Sequence, residues 1–222
     1  LAKTGVMQGM SGSPVYVNGR LIGAVALAFP FATEPIAGIR PIEEMLATPA
    51  TAPAQRASVA AAGTGPARRQ DISTPFVLGG FTRATLDHFA PQLRQMGLEP
   101  MQGSLGGGSN NASATAPAPM GSPSLLKPGA MISVLLLTGD MSAGADGTIT
   151  HIDGEKVYAF GHQFLASGTT AMPFARAEVL TLLPNLSTSF KISASKELMG
   201  AITQDRNAAI AGQLGKRVPM TP

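Results

Sequence analysis

The segment Gly9-Met10-Ser11-Gly12-Ser13-Pro14 decides how this chain is interpreted, because it sets a serine among glycines just before a predicted strand. Glycine adopts backbone conformations that a side chain would forbid. The peptide N–H groups of Gly9 and Ser11 are therefore free to point at one spot, where they form an oxyanion hole. Ser11 is the predicted nucleophile, and Ser13 is a structural hydroxyl. The alternative is a plain Gly/Ser turn leading into a hairpin.

Composition limits the classes of protein that fit. The chain has 222 residues, 5% aromatics, no tryptophan and no cysteine, which excludes disulfides and thiolate metal sites. Sixteen basic residues oppose thirteen acidic ones without long runs, so nothing supports nucleic-acid binding. No apolar stretch is long enough to span a bilayer as a helix.

Cofactor motifs are also missing from the sequence. The three histidines are not spaced with carboxylates as metal ligands would be. Gly106-Gly107-Gly108 lacks the following lysine and helix of a phosphate loop. We therefore predict no metal and no cofactor.

Changes in composition divide the chain into five segments. Residues 1–46, called the serine block here, and residues 127–222, called the histidine block, are predicted to be rich in β-strands. Residues 72–101 are predicted to form a small α/β insertion with a helix over 82–95. The segments 47–71 and 102–126, rich in Ala, Pro, Gly and Ser, are predicted to be flexible linkers.

Turn signals define the predicted strands. Asn18-Gly19 and Asp153-Gly154 each lie between apolar runs and predict β-hairpins. Further short strands are expected at 131–137, 179–183, 189–192, 199–203 and 209–213. Many short strands separated by glycine turns favour a barrel or a sandwich.

A serine nucleophile needs a base, and histidine is the usual one. His88 lies on the predicted helix and His151 in a predicted strand, where structural roles fit better. His162 follows Tyr158-Ala159-Phe160-Gly161 at a strand end that enters a loop, a common place for catalytic groups. His162 is the candidate base, with a structural role as the equal alternative.

A third group normally orients the histidine. The candidates are Asp140, Asp146, Asp153 and Asp205. The Asp-Gly turn accounts for Asp153. Asp205, between two predicted strands, is the candidate carried forward as catalytic acid, although pairing with Arg206 or capping of the turn fits it better.

The serine block resembles a known family. Gln8-Gly9-Met10-Ser11-Gly12-Ser13-Pro14, then Asn18-Gly19 and Gly23-Ala24-Val25, is similar to the nucleophile segment of the SpoIVB-type sporulation serine peptidases. Gly147-Thr148-Ile149-Thr150, followed by Lys156-Val157-Tyr158-Ala159-Phe160-Gly161-His162, resembles the histidine segment of that family. The stretch around 200–215 also looks like the part that follows it.

The resemblance implies a mainly β, chymotrypsin-like double barrel with a small helical insertion, incomplete at its N-terminus. It implies Ser11 as nucleophile, His162 as general base, and the N–H groups of Gly9 and Ser11 as oxyanion hole. It also implies a bacterial, extracytoplasmic enzyme, secreted or periplasmic, that cleaves protein or peptide substrates in signalling or self-processing.

The chain departs from the family in the order of its blocks. The histidine block precedes the serine block in the sporulation enzymes, whereas Ser11 comes first here, as in a circular permutation. The catalytic aspartate of the family lies upstream of the serine motif, before Leu1, so a Ser–His dyad is an alternative to a triad. From its ends at Leu1 and Pro222 we expect the chain to be a fragment or a processed piece.

Three hypotheses follow. The first is an exported serine endopeptidase, and the second is a non-catalytic β module that binds peptides or assembles with a partner. The third is a peptidase that mainly cuts itself, since segments 47–70 and 102–124 would be accessible substrates.

Overall fold

A computed structural model describes most of both β-rich blocks and the insertion between them. The described residues are 5–29, 34, 36–48, 70–103, 119–184 and 189–218. Most of the predicted linkers 47–71 and 102–126 lies outside them. At their edges, Gln70–Asp71 forms a strand and Pro123–Leu125 a 3-10 turn, so ordered structure reaches into both segments.

The serine block forms a four-stranded antiparallel sheet. Its strands are β1 (Pro14–Val17), β2 (Arg20–Ala28), β3 (Ala37–Pro41) and β4 (Gln70–Asp71), with β1, β3 and β4 all paired to β2. Asn18 and Gly19 have φ angles of 50° and 76°, which confirms the predicted hairpin turn with two left-handed residues. A short helix, α1 (Ile42–Leu46), follows β3 and buries Met45 beneath the sheet.

The insertion is a β–α–β unit. Strand β5 (Thr74–Gly79), helix α2 (Arg83–Gln95) and strand β6 (Leu98–Gln102) follow one another, and β5 and β6 pair in parallel. The hydroxyl of Thr82 accepts the N–H of Thr85 and begins α2. No helix in the described part of the chain is long and apolar enough to cross a membrane.

The histidine block closes into a six-stranded β-barrel. Its strands pair in the order β8–β7–β10–β11–β12–β9, and β9 returns to β8. They are β7 (Met131–Leu137), β8 (Ser142–Asp153), β9 (Lys156–Ala159), β10 (Gly168–Leu183), β11 (Phe190–Arg206) and β12 (Ala209–Leu214). The fold is mainly β and consistent with the predicted chymotrypsin-like architecture. Strand β5 pairs with β8, which attaches the insertion to the same sheet.

Two strands are much longer than their sequence patterns predicted. The stretches 189–192 and 199–203, expected as separate strands, are parts of β11, and 179–183 is only the end of β10. Several bulges in the β10–β11 pairing re-aim the side chains, and this breaks the alternating pattern that marks a strand in sequence.

A polar cluster lies inside the barrel beside the core. The carboxyl group of Asp146, 3% exposed, accepts the hydroxyl of Ser193 and is also hydrogen-bonded to Ser133. Burial raises the pKa of Asp146, while the two hydroxyl groups oppose this shift. Asp146 therefore has a structural role inside the barrel, where it binds two serine hydroxyl groups.

We predict that Asp146→Asn changes how stability depends on pH. Because the folded-state pKa of Asp146 lies above its unfolded value, the folded protein binds more protons between the two values. The wild type therefore loses stability as the pH rises through the folded pKa. The variant should have a higher Tm than the wild type at about pH 8 and a similar Tm at about pH 4. Asp153→Asn, in the exposed turn, is the control; an equal shift of Tm at both pH values would contradict the prediction.

Candidate active site

The serine loop, defined here as residues 8–13, is a compact turn. The N–H of Ser13 donates to the carbonyl of Met10 at 2.8 Å, and the N–H of Met10 donates to Met7 at 3.2 Å. Gly9 and Gly12 have φ angles of 84° and 88°, a conformation that glycine adopts without steric cost. The loop can fold this way because glycine occupies both positions, 9 and 12, at which the backbone needs a positive φ angle.

Strand β8 of the barrel holds the serine loop by three hydrogen bonds. The N–H of Thr148 donates to the carbonyl of Ser11 at 2.9 Å, and its hydroxyl donates to the carbonyl of Gly9 at 2.9 Å. The hydroxyl of Thr150 donates to the carbonyl of Gly12 at 2.7 Å. Two threonines of β8 thus bind three carbonyl groups of the loop, and these bonds join the two blocks of the chain.

The approach of the loop to β8 requires glycine at position 12. A Cβ atom there would stand 2.0 Å from the carbonyl oxygen of Thr148 and 2.5 Å from the backbone nitrogen of Phe160. Both obstacles are backbone atoms of paired strands and cannot move aside cheaply. Gly12 is therefore the point at which the serine loop meets the strand end that leads to His162.

Two N–H groups of the serine loop have no acceptor in the part of the chain that the structure describes. The N–H groups of Gln8, Met10, Gly12 and Ser13 all donate to backbone carbonyls. Those of Gly9 and Ser11 have no acceptor among the described residues. These are the two groups that the sequence predicted as an oxyanion hole, and an anion bound there would satisfy both.

His162 lies in the loop that follows β9. Phe160 and Gly161 before it have φ angles of 69° and 71°, so the chain turns sharply and directs the imidazole inward. The imidazole is 2% exposed. Its Nδ1 lies 2.7 Å from the carbonyl oxygen of Gln163. Because a carbonyl can only accept, Nδ1 carries the proton, which leaves a lone pair on Nε2.

The surroundings of His162 favour the neutral imidazole. Burial lowers its pKa below the ordinary 6.5, and the hydrogen bond to Gln163 opposes that shift. Asp71 and Asp205 raise its pKa by their charges, and Arg40 lowers it. A neutral imidazole with a free Nε2 lone pair is the form that can accept a proton from a hydroxyl.

The two loops meet across β8 and the end of β9. The N–H of Phe160 donates to the carbonyl of Thr148, whose own N–H donates to Ser11. A Cβ atom on Gly161 would lie 3.0 Å from the methyl group of Ala26 in β2. One backbone path of two hydrogen bonds therefore connects Ser11 to the residue two positions before His162.

Oγ of Ser11 and Nε2 of His162 are both buried and have no hydrogen-bond partner among the described residues. Ser11 is 0% exposed, and neither its Oγ nor Nε2 of His162 has a hydrogen-bond partner among the described residues. The two atoms are consequently not bonded to each other in this conformation. Leaving a buried polar atom unpaired costs about 1–3 kcal/mol, and such atoms concentrate where function requires them.

Asp205 supports the loop after His162. Its carboxylate, 0% exposed, accepts the N–H groups of Phe164 and Leu165, both at 2.7 Å, and the N–H and hydroxyl of Ser167, both at 3.1 Å. His162 donates to a carbonyl instead. The geometry assigns Asp205 the support of this loop, and its part in the chemistry stays a prediction.

Sequence reasoning missed Arg40 and Asp71. The Nε of Arg40 donates to the carbonyl of Gly161 at 3.1 Å, and its guanidinium lies 3.6 Å from a carboxylate oxygen of Asp71. The side chain of Arg40 thus ties β3 to the residue just before His162. No motif marked either residue, because Arg40 lies in an unremarkable strand and Asp71 at the edge of a predicted linker.

The remaining candidates lie in other environments. His88 is exposed on α2, and the ring of His151 stacks on Tyr158 with centroids 6.3 Å apart. Asp140 and Asp153 are exposed. The described residues hold no cluster of side chains suited to a metal ion. A surface cavity of about 410 Å³ beside Tyr158 has neither Ser11 nor His162 in its lining.

Comparison with known proteins bears on the serine block. Residues 1–46 match a family model described as SpoIVB peptidase S55. This match confirms the resemblance over the segment that contains Gly9 and Ser11. It does not extend to the histidine block. No curated protein and no solved structure matches the chain.

We predict that His162 titrates below pH 6.5, the ordinary value for histidine, because burial penalises its charged form. His162 binds a proton near pH 6.5 in the unfolded chain but only at lower pH in the folded chain. The free energy of unfolding therefore decreases as the pH drops below 6.5. NMR titration of the ring protons would measure the midpoint, with His88→Gln and His151→Gln to assign the signals. A His162 midpoint above 6.5 would contradict the prediction.

Removing the carboxylate of Asp205 should destabilise the fold strongly. Asp205→Ala strips the acceptor from the buried N–H of Phe164 and from the partly buried N–H groups of Leu165 and Ser167, and each unpaired group costs about 1–3 kcal/mol. Urea unfolding should therefore show a loss of at least ~3 kcal/mol. The control Asp153→Ala, in an exposed turn, should leave the unfolding midpoint nearly unchanged. A similar small effect for both variants would show that the loop does not depend on Asp205.

Proposed function

We propose that this chain is a serine peptidase, or the catalytic part of one, in which Ser11 is the nucleophile and His162 the general base. One observation carries the proposal. Among the described residues, the N–H groups of Gly9 and Ser11 in the serine loop have no acceptor, the hydroxyl of Ser11 is buried, and a backbone path of two hydrogen bonds leads from Ser11 to the turn before the buried imidazole of His162. The match of residues 1–46 to the SpoIVB peptidase family supports the same reaction class.

The proposed chemistry begins with transfer of a proton. Nε2 of His162 takes the proton from Oγ of Ser11 as Oγ attacks the carbonyl carbon of the substrate. The carbonyl oxygen becomes an oxyanion and accepts the N–H groups of Gly9 and Ser11. The C–N bond then breaks, and the imidazolium gives its proton to the leaving amine. Water releases the acyl group from Ser11 by the same steps in reverse order.

The proposed base works without direct contact to a carboxylate. The hydrogen bond from Nδ1 to the carbonyl of Gln163 selects the tautomer, a task that an aspartate performs in a triad. Asp205 holds the following loop, and the charges of Asp71 and Asp205 favour the imidazolium that forms during attack. This arrangement is a Ser–His dyad with electrostatic support.

Catalysis requires the hydroxyl of Ser11 to turn toward Nε2 of His162. In free enzymes such hydrogen bonds are often long and tighten only when substrate is bound. Ser11 is fully buried here, so a substrate must also open a path to it. We infer that binding of the peptide both exposes and aligns the pair.

A non-catalytic β module is the second candidate function. The complete burial of Ser11 and the missing bond between Ser11 and His162 favour it. Such a module would bind a peptide or a partner protein with the same architecture, and it would have an unreactive serine.

The proposed substrates are proteins outside the cytoplasm, as the family resemblance implies, including this chain itself. Self-cleavage would fall in segments 47–70 and 102–124, most of which lies outside the described residues. Mass spectrometry of the incubated protein, beside the Ser11→Ala variant, separates self-cleavage from contaminating proteases.

We predict that a fluorophosphonate probe labels the wild type on Ser11. Ser11→Ala should abolish labelling, because the phosphorus atom has no other activated nucleophile. His162→Gln should slow labelling by about 100- to 10,000-fold, the usual contribution of a general base. Peptide mapping of the labelled protein identifies the modified residue.

The control variant is Ser13→Ala, which removes a hydroxyl two positions away and should label like the wild type. Labelling that persists in Ser11→Ala would reject Ser11 as nucleophile. A folded wild type that never reacts would favour the non-catalytic module.

A further inference from the structure

The start of β11 borders the serine loop at Gln8. Gln8 forms a parallel bridge with Phe190. The N–H of Gln8 donates to Ser189 at 2.9 Å, and the N–H of Lys191 donates back to the carbonyl of Gln8 at 3.4 Å. A strand of the barrel therefore pairs with the residue that precedes Gly9.

The side chain of Lys191 extends along the same loop. Its Nζ donates to the carbonyl of Gly9 at 3.1 Å. Its Cδ lies 3.5 Å from the position that a Cβ atom on Gly9 would take, so the aliphatic stem covers the glycine. Burial lowers the pKa of Lys191, and no ion pair among the described residues involves it. Surface lysines usually keep a protein soluble by extending their charge into water. Lys191 instead lies against the serine loop without a carboxylate partner among the described residues, so solubility does not explain its position.

These contacts control the direction of one N–H group. The N–H of Gly9 lies in the same peptide plane as the carbonyl of Gln8. That carbonyl accepts the backbone N–H of Lys191. The next plane contains the carbonyl of Gly9, which Nζ of Lys191 and the hydroxyl of Thr148 hold together. The plane of the Gln8 carbonyl carries the N–H of Gly9, and the plane of the Gly9 carbonyl carries the N–H of Met10. Because both carbonyls are held, rotation about the two backbone bonds at the Cα of Gly9 is restrained, and with it the direction of the Gly9 N–H relative to the rest of the loop.

We propose that Lys191 is a positioning residue that holds the Gly9 N–H toward the oxyanion and places a positive charge beside it. This inference rests on the proposed function. Preorganised dipoles and charges lower the barrier because they need no rearrangement as the oxyanion forms. Lys191 touches neither Ser11 nor His162 through any hydrogen bond of the described residues, so its action passes through the loop.

The test compares Lys191→Met with Lys196→Met. Met keeps the length of the stem and removes the ammonium, and Lys196 is a matched control because it lies on the same strand and pairs with Glu178 at the surface. The rate of labelling by a fluorophosphonate is measured against pH for each protein, together with its Tm.

We expect the limiting rate of Lys191→Met to fall roughly 10- to 100-fold, somewhat less than the loss of an oxyanion donor itself. The midpoint of its pH profile should match the wild type, because Lys191 is not among the charges that shift the pKa of His162. Lys191→Arg should recover most of the rate, and Lys196→Met should behave like the wild type.

The inference is overturned if Lys191→Met labels at the rate of the wild type. It is also overturned if its rate falls only together with a shifted pH midpoint and a lower Tm, the signature of general damage. Should Lys191→Met fail to fold, Lys191→Gln replaces it under the same criteria. Failure of the proposed function looks different, because the wild type itself would then show no labelling that depends on Ser11.

Discussion

The contact between Gly12 and the backbone of β8 is the constraint on which the site depends. Thr148 and Thr150 bind three carbonyls of the serine loop, and this is possible only because position 12 has no side chain. The same strand receives the N–H of Phe160, which begins the turn into His162. One strand therefore holds both the serine loop and the start of the turn that leads to His162.

Burial determines the electrostatics of the site. Water is excluded from Ser11 and His162, so hydrogen bonds and charges act there in a medium of low dielectric constant. The same exclusion keeps His162 neutral, since a buried charge is expensive. Arg40 and Asp71 lie at the edge of the site and oppose one another in their effect on the imidazole. In the proposed mechanism, a neutral imidazole and the N–H groups of Gly9 and Ser11 meet the charge that develops during attack, and bound substrate brings these groups into line.

Contacts between strands, and not neighbourhood along the chain, join the serine block to the histidine block. The serine block comes first here, whereas in the resembling peptidases the histidine block does. The barrel closes through pairing of β8 with β9, and the serine loop docks against it from a separate sheet. Because contacts between strands hold the two loops, the connection between the blocks can vary in length and carry the β5–α2–β6 insertion.

The sequence by itself determined the local features of this protein. Glycines around Ser11, the Asn18-Gly19 turn and the helix α2 follow from steric rules and periodicity that act within a few residues. The choice of Ser11, His162, Gly9 and Asp205 also came from local patterns, because each lies in a turn or at a strand end. Only the tertiary structure could decide what these residues touch. Arg40, Asp71 and Lys191 reach the site from strands far apart in the chain, and bulges hide the true length of β10 and β11. Such contacts depend on register and on the closure of the barrel, which no short stretch of sequence encodes.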